Sequence, residues 1–211
     1  MQERMVRMDK KTIFQDITSH LLADENPSFY MEELDQKGGL KEYPLSLLHK
    51  LKETEQSAKY HPEGNVWNHT MLVLDEAAKV REKSRSKEVF MWSALLHDIG
   101  KPPTTRNRKG RITSYDHDKV GEELCIDFLK YFECDQAFID AVSSMVRYHM
   151  HMLYVLKKLP YADMKGLIKR VDIYELALLC LCDRMGRTDA DSELEEEENS
   201  KFLQILRTYI G

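Results

Sequence analysis

From Val66 onward the apolar positions fall into a helical rhythm. Val66, Thr70, Val73, Ala77 and Val80 recur at alternating steps of four and three residues, which marks one face of a helix. Residues 88–99 are apolar almost all round, as a central helix should be, and Gly100 with Pro102 and Pro103 is read as its end. A polar loop over 103–113 leads to a helix from about Ser114 to Tyr131, and another follows from about Gln136 to Tyr148. Residues 162–171 read as a short helix and 173–186 as a second strongly apolar one. In the last segment "ELEEEE" precedes "KFLQILR", placing acid at the start of a helix and base at its end, as the helix dipole favours. Residues 1–60 give several short, weakly apolar helices broken at "ENPS" and "QKGG", and are read as an extension of a main domain over 61–211. No run alternates apolar with polar, so the expected fold class is all-α.

Against this pattern a few polar side chains stand on apolar faces. His69 lies three positions from Val66 and four from Val73, and His97 and Asp98 end the central apolar run "SALL". His117 precedes Val120, Gly121, Leu124 and Phe128 at helical spacings, His149 follows Val142, Met145 and Val146, and Asp183 follows Leu176, Leu179 and Cys180. A lone inward histidine is ordinarily a core residue bonded to a carbonyl. A buried aspartate is expensive to desolvate unless paired or bound to metal. Six such groups in one core have a common solution in a divalent cation, which uses all their lone pairs. The other histidines differ: His20 and His49 fall in the weak N-terminal helices and are read as surface residues, and His61 precedes a proline in an extended turn. His151 would share a polar face with Ser144 and Arg147, which makes it a poorer candidate than His149.

Composition narrows the reading. A chain of 211 residues is long enough for one sizeable core. The net charge of −5 argues against nucleic-acid binding by charge alone, and "TTRNRKGR" is the one dense basic stretch. Cys125, Cys134, Cys180 and Cys182 show no C-x-x-C spacing and are expected to be reduced. The start, "MQERMVRMDKK", has no apolar leader core, and "LALLCLC" is too short to span a bilayer, so a cytoplasmic location without membrane contact is expected.

In chain order the ligand set runs His69, His97-Asp98, Asp183, which resembles the H…HD…D pattern of the HD superfamily of metal-dependent phosphohydrolases, with "LLHDIGK" its HDIG form. "HPEGNVWNHTMLVLDEAA", "ALLHDIGKPPTT", "YDHDKVGEE" and "LCLCDRMGR" are similar to the HD domain of some bacterial tRNA nucleotidyltransferases, the CCA-adding enzymes. Gly38-Gly39 has no acidic pair after it and few residues precede the HD region, so the resemblance implies the hydrolase part without the nucleotide-adding head. It further implies an HD-domain helical bundle in which His69, His97, Asp98 and Asp183 hold one metal. His117 and His149 would complete a second site, with Asp98 bridging. Such nitrogen and oxygen donors suit Fe, Mn, Co, Ni, Mg or Zn alike. The implied activity is phosphomonoester or phosphodiester hydrolysis of a nucleotide or related small phosphorylated substrate. No G-Y-P tripeptide follows the HD pair, which disfavours a cyclic-dinucleotide hydrolase of that type.

Asp98 and Lys101 are the catalytic candidates, and Lys101, Arg106, Arg184 and Arg187 are the candidates for contacting substrate phosphates, with Arg108 and Arg111 in the same basic loop. Asn65 is expected to cap the first ligand helix. Two competing readings are a metal- or nucleotide-binding regulatory module that kept the fold and lost turnover, and a helical scaffold with a fortuitous His/Asp core. The intact ligand set argues against the first of these. The oligomeric state is open.

Overall fold

The computed structural model describes residues 9–210. Residues 1–8, which carry most of the stretch read for a leader and begin the expected extension, lie outside the described residues. Among the described residues the fold is all-α apart from one two-stranded hairpin.

Its centre is α5 (Lys87–Leu96), whose residues from Phe90 to Leu96 are all buried. Around it pack α1 (Lys10–Ala23), α4 (Val66–Val80), α8 (Gln136–Tyr148) and α11 (Ile173–Met185), while α2 (Pro27–Gln36) lies on α4. A short α3 (Ser46–His49) and a following 3-10 turn, Lys50–Glu53, lead from α2 towards α4. The sequence dictates where several of these helices begin. Asn65 accepts the Asn68 N–H at 2.9 Å, as expected, and Asp135 does the same for Phe138 in α8. Asp172 accepts from Tyr174 and Glu175 at the start of α11. Each such cap contributes about 1 kcal/mol and fixes the phase of the helix behind it.

Residues of the N-terminal segment bury into the same core as the rest: Ile17, Leu21, Met31, Leu40, Leu48 and Leu51 are essentially inaccessible. Phe14 stacks on Trp92 with ring centroids 4.5 Å apart. The cysteines are free, as expected, and among the described residues no helix is long and apolar enough to cross a membrane.

Three local features differ from expectation. The central helix stops at Leu96, and Pro102 and Pro103 lie in the first turn of a new short helix, α6 (Lys101–Thr104). A proline lacks the N–H that a first helical turn leaves unbonded anyway, so here the pair opens a helix rather than closing one. The polar loop contains β1 (Arg106–Arg108) and β2 (Arg111–Thr113), antiparallel with Arg106 opposite Thr113. Lys109 and Gly110, both with positive φ, make its two-residue turn.

The helix expected from Ser114 starts at His117 as α7 (His117–Tyr131), because Asp116 before it adopts a left-handed backbone. Then α8 leads through α9 (His151–Leu156) and α10 (Met164–Arg170) to α11, and α12 (Ser192–Arg207) closes the chain against α11. Gly100 lets α7 come close: a Cβ there would stand 2.1 Å from the His117 carbonyl oxygen and 2.5 Å from the Gly121 nitrogen.

Candidate metal centre

The six inward side chains singled out in the sequence lie close together. His69 comes from the first turn of α4, Asp183 from the last turn of α11, and His117 opens α7. His97 and His149 sit at the C-caps of α5 and α8, with Asp98 following His97. All are buried except Asp183, whose side chain is 13% exposed.

The helix ends set the chemistry of the imidazoles. A helix C-terminus leaves carbonyls without intrahelical partners. His97 Nδ1 donates to the Ala94 carbonyl at 2.8 Å, and His149 Nδ1 to that of Val146 at 2.6 Å. His117 Nδ1 donates likewise to Ser114 at 2.7 Å, in the turn before α7. When neutral, each of these rings keeps its proton on Nδ1 and turns an Nε2 lone pair inward. His97 Nε2 lies 3.2 Å from Asp98 Oδ2 and has no hydrogen-bond partner. His117 Nε2 and His149 Nε2 lie 3.2 Å apart, and 3.5 and 3.7 Å from Asp98 Oδ1.

Burial pushes the His117 pKa down to about 4 and lowers that of His149 too, so both rings are neutral and their lone pairs face each other. Burial works against protonation of His97 as well, but the charges of Asp98 and Asp183 outweigh it and raise its pKa. Burial opposes ionisation of Asp98, yet Lys101, His97 and His117 hold it well below the usual carboxylate range. Asp183 is held low in the same way, chiefly by His69, whose Nε2 is 2.9 Å from Asp183 Oδ1.

Opposed lone pairs beside an ionised carboxylate are what a cation binds. The donors form two groups, His69–His97–Asp98 and Asp98–His117–His149, each with ligand atoms within 4.8 Å of one another and with Asp98 in common. The residues present therefore fit a metal.

The cationic candidates divide. Lys101 is buried, its Nζ 2.6 Å from Asp98 Oδ2 and donating to Gln56 Oε1 at 2.6 Å. Arg187 keeps a buried Nε without a hydrogen-bond partner, and its charge acts on Asp183. Arg184, expected to face substrate, instead bonds Glu195 and Glu198 and ties α11 to α12. Arg106 is also turned away from that role: its exposed guanidinium folds onto the carbonyls of Pro103 and Thr105 at 2.9 and 2.8 Å. Arg108 and Arg111 are exposed on the hairpin.

His151 is buried but apart from the donor groups, its Nε2 accepting the Asp163 N–H at 3.1 Å. His20 and His49 bond Asp24 and Asp35 in the N-terminal helices.

Two residues that the helical pattern passed over belong here. His61 packs its ring edge-on to His69 with centroids 4.8 Å apart, and Glu63 lies between them. Burial would raise the Glu63 pKa, but the His61 and His69 imidazoles beside it hold it below the usual carboxylate range. Both residues precede the α4 cap in a turn, where no periodicity exists to mark them.

A family profile described as "HD domain" matches residues 66–200. Among curated proteins, the "Multifunctional CCA protein" of Pasteurella multocida (strain Pm70) is 29% identical over 179 residues, covering 81% of this chain and 42% of that protein. The protein of the same name from Mannheimia succiniciproducens is 28% identical with the same coverage, and that from Haemophilus influenzae (strain PittGG) 26% identical, covering 83% and 44%. The chain thus spans under half the length of these relatives.

Proposed function

The chain belongs to the HD domain family, and from that premise we propose that it is a metal-dependent phosphohydrolase acting on a nucleotide or related phosphoester through two divalent ions that share Asp98. The observation that carries this reading is the pair of neutral imidazoles, His117 and His149, whose Nε2 atoms oppose each other at 3.2 Å beside the buried Asp98 carboxylate. One group of donors is His69, His97, Asp98 and Asp183; the other is Asp98, His117 and His149. These donors would hold a divalent ion, which would supply Lewis acidity there, lowering the pKa of water and offsetting phosphoryl charge.

The chain's own residues prepare the rest. The backbone carbonyls of Ala94, Ser114 and Val146 keep three imidazoles in one tautomer, so no donor reorganises when substrate arrives. Lys101 holds a buried positive charge beside Asp98, suited to a phosphoryl oxygen, and Arg187 offers a second at the Asp183 side. Water adds to phosphorus, one P–O bond breaks, and the leaving oxygen takes up a proton. The candidate substrates are nucleoside phosphates, 2′,3′-cyclic nucleotides and dinucleoside polyphosphates.

The test is a panel of these substrates with Mn²⁺, Co²⁺, Ni²⁺ and Mg²⁺, wild type against Asp98→Ala, with bound metal counted in both. Metal-dependent hydrolysis that falls at least about 100-fold in the variant is expected, given the loss of a shared ligand. Hydrolysis unchanged in the variant, or a wild type that takes up no metal, refutes the assignment.

A further inference from the structure

Three of the four imidazoles at the centre have their Nδ1 proton taken by a backbone carbonyl three residues earlier. His69 has no such carbonyl. It lies inside α4, where the Asn65 carbonyl accepts the His69 backbone N–H and the Val66 carbonyl accepts the Thr70 hydroxyl. An outside acceptor must fix its tautomer, and Glu63 is in place. The Glu63 side chain is 2% exposed, and its Oε1 lies 2.8 Å from Nδ1 of both His69 and His61. The contact to His69 is too far off line to count as a hydrogen bond, so His69 Nδ1 and Glu63 Oε2 are both buried without a partner. A buried, half-satisfied carboxylate is costly to keep unless the site gains from it.

We propose that Glu63 is the positioning residue of this centre: it accepts the His69 Nδ1 proton and so aims the Nε2 lone pair at the pocket it shares with Asp183. His61 is the strut that holds Glu63 from the solvent side. Without an ion, Nε2 of His69 donates to Asp183 Oδ1 at 2.9 Å, so the ring stands between two carboxylates; an ion at that pocket would take the place of the Nε2 proton and leave the Nδ1 proton to Glu63. A carboxylate behind a ligating histidine fixes the ring and raises its basicity, and losing one ordinarily weakens metal binding about 10–100-fold. The proposal rests on the metal reading above, and the experiment separates the two.

Wild type, Glu63→Gln, Glu63→Leu and His61→Ala are titrated with Mn²⁺ by calorimetry, and the His69 tautomer is read from its ¹⁵N shifts without metal. Glu63→Leu should bind Mn²⁺ about 10–100-fold more weakly and lose the Nδ1-protonated signature. Glu63→Gln, which keeps an acceptor oxygen but not the charge, should fall between, and it carries the test if the leucine variant unfolds. His61→Ala should have the smaller effect. Wild-type affinity and tautomer in both Glu63 variants overturn this proposal and leave the metal centre standing, as does a His61→Ala loss exceeding that of Glu63→Leu. No Mn²⁺ uptake by wild type, with the tautomer intact, removes the metal reading instead.

Discussion

Gly100→Ala should damage both the fold and the centre, and the structure says by how much. The added Cβ would stand 2.1 Å from the His117 carbonyl oxygen, 2.5 Å from the Gly121 nitrogen and 2.9 Å from its Cα. All three are backbone atoms of α7, so no side chain can swing aside. Relief needs the first turn of α7 to retreat by more than 1 Å to reach ordinary contact at about 3.4 Å. Overpacking of this kind costs about 3 kcal/mol, and for a chain this size each kcal/mol lowers Tm by roughly 2–4 °C, so a fall of about 6–12 °C is expected.

The same retreat carries His117 away from Asp98 and His149, from which its Nε2 now stands 3.5 and 3.2 Å. A displacement of about 1 Å at a reacting site costs on the order of 100-fold in rate. Differential scanning calorimetry and metal counting read the two effects together. Gly110→Ala is the control: nothing lies within 4 Å of its Cβ, and its φ of +81° puts the strain in the hairpin turn alone. It should lose stability without losing metal. A Gly100→Ala protein with unchanged Tm and a full metal complement would show that α7 is not held against this glycine.

Asp98→Ala leaves the buried Lys101 ammonium without its carboxylate, which should destabilise the metal-free protein by about 3 kcal/mol; Asp98→Ala with Lys101→Met should recover most of that in thermal melts while still binding no metal. Asp35 gives a pH dependence away from the centre: burial works to raise its pKa, but its bonds to Lys52 and His49 outweigh this and lower it. A depressed carboxylate contributes stability above its unfolded value of about 3.9 and loses it as pH falls through the lower folded value, so the stability gap between wild type and Asp35→Asn should be present at neutral pH and close in acid.

The legible parts of this molecule are those with a period. Helical phase placed His69, His117, His149 and Asp183 inward and preferred His149 to His151, because α8 runs unbroken to Tyr148 and its inner face can be extrapolated one residue further. His61 and Glu63 escaped because they lie in a turn, where neighbours in sequence say nothing about direction. Arg184 misled for another reason: it adjoins Asp183, but its partners Glu195 and Glu198 sit on α12, beyond a turn whose geometry no local pattern specifies. The hairpin went unread because strands of three residues are too short to alternate. Pro102 and Pro103 marked a boundary correctly and its direction wrongly, since proline suits a helix start as well as it ends one.

His69 and Asp183 are 114 positions apart along the chain, yet their side chains touch at 2.9 Å. The His69–Asp183 part of the donor set therefore exists only after the distant α4 and α11 have docked. On the metal reading, capture of an ion by that pair would follow their docking. An ion that met only the docked pair would act as a latch, slowing escape from the native state rather than guiding the chain towards it.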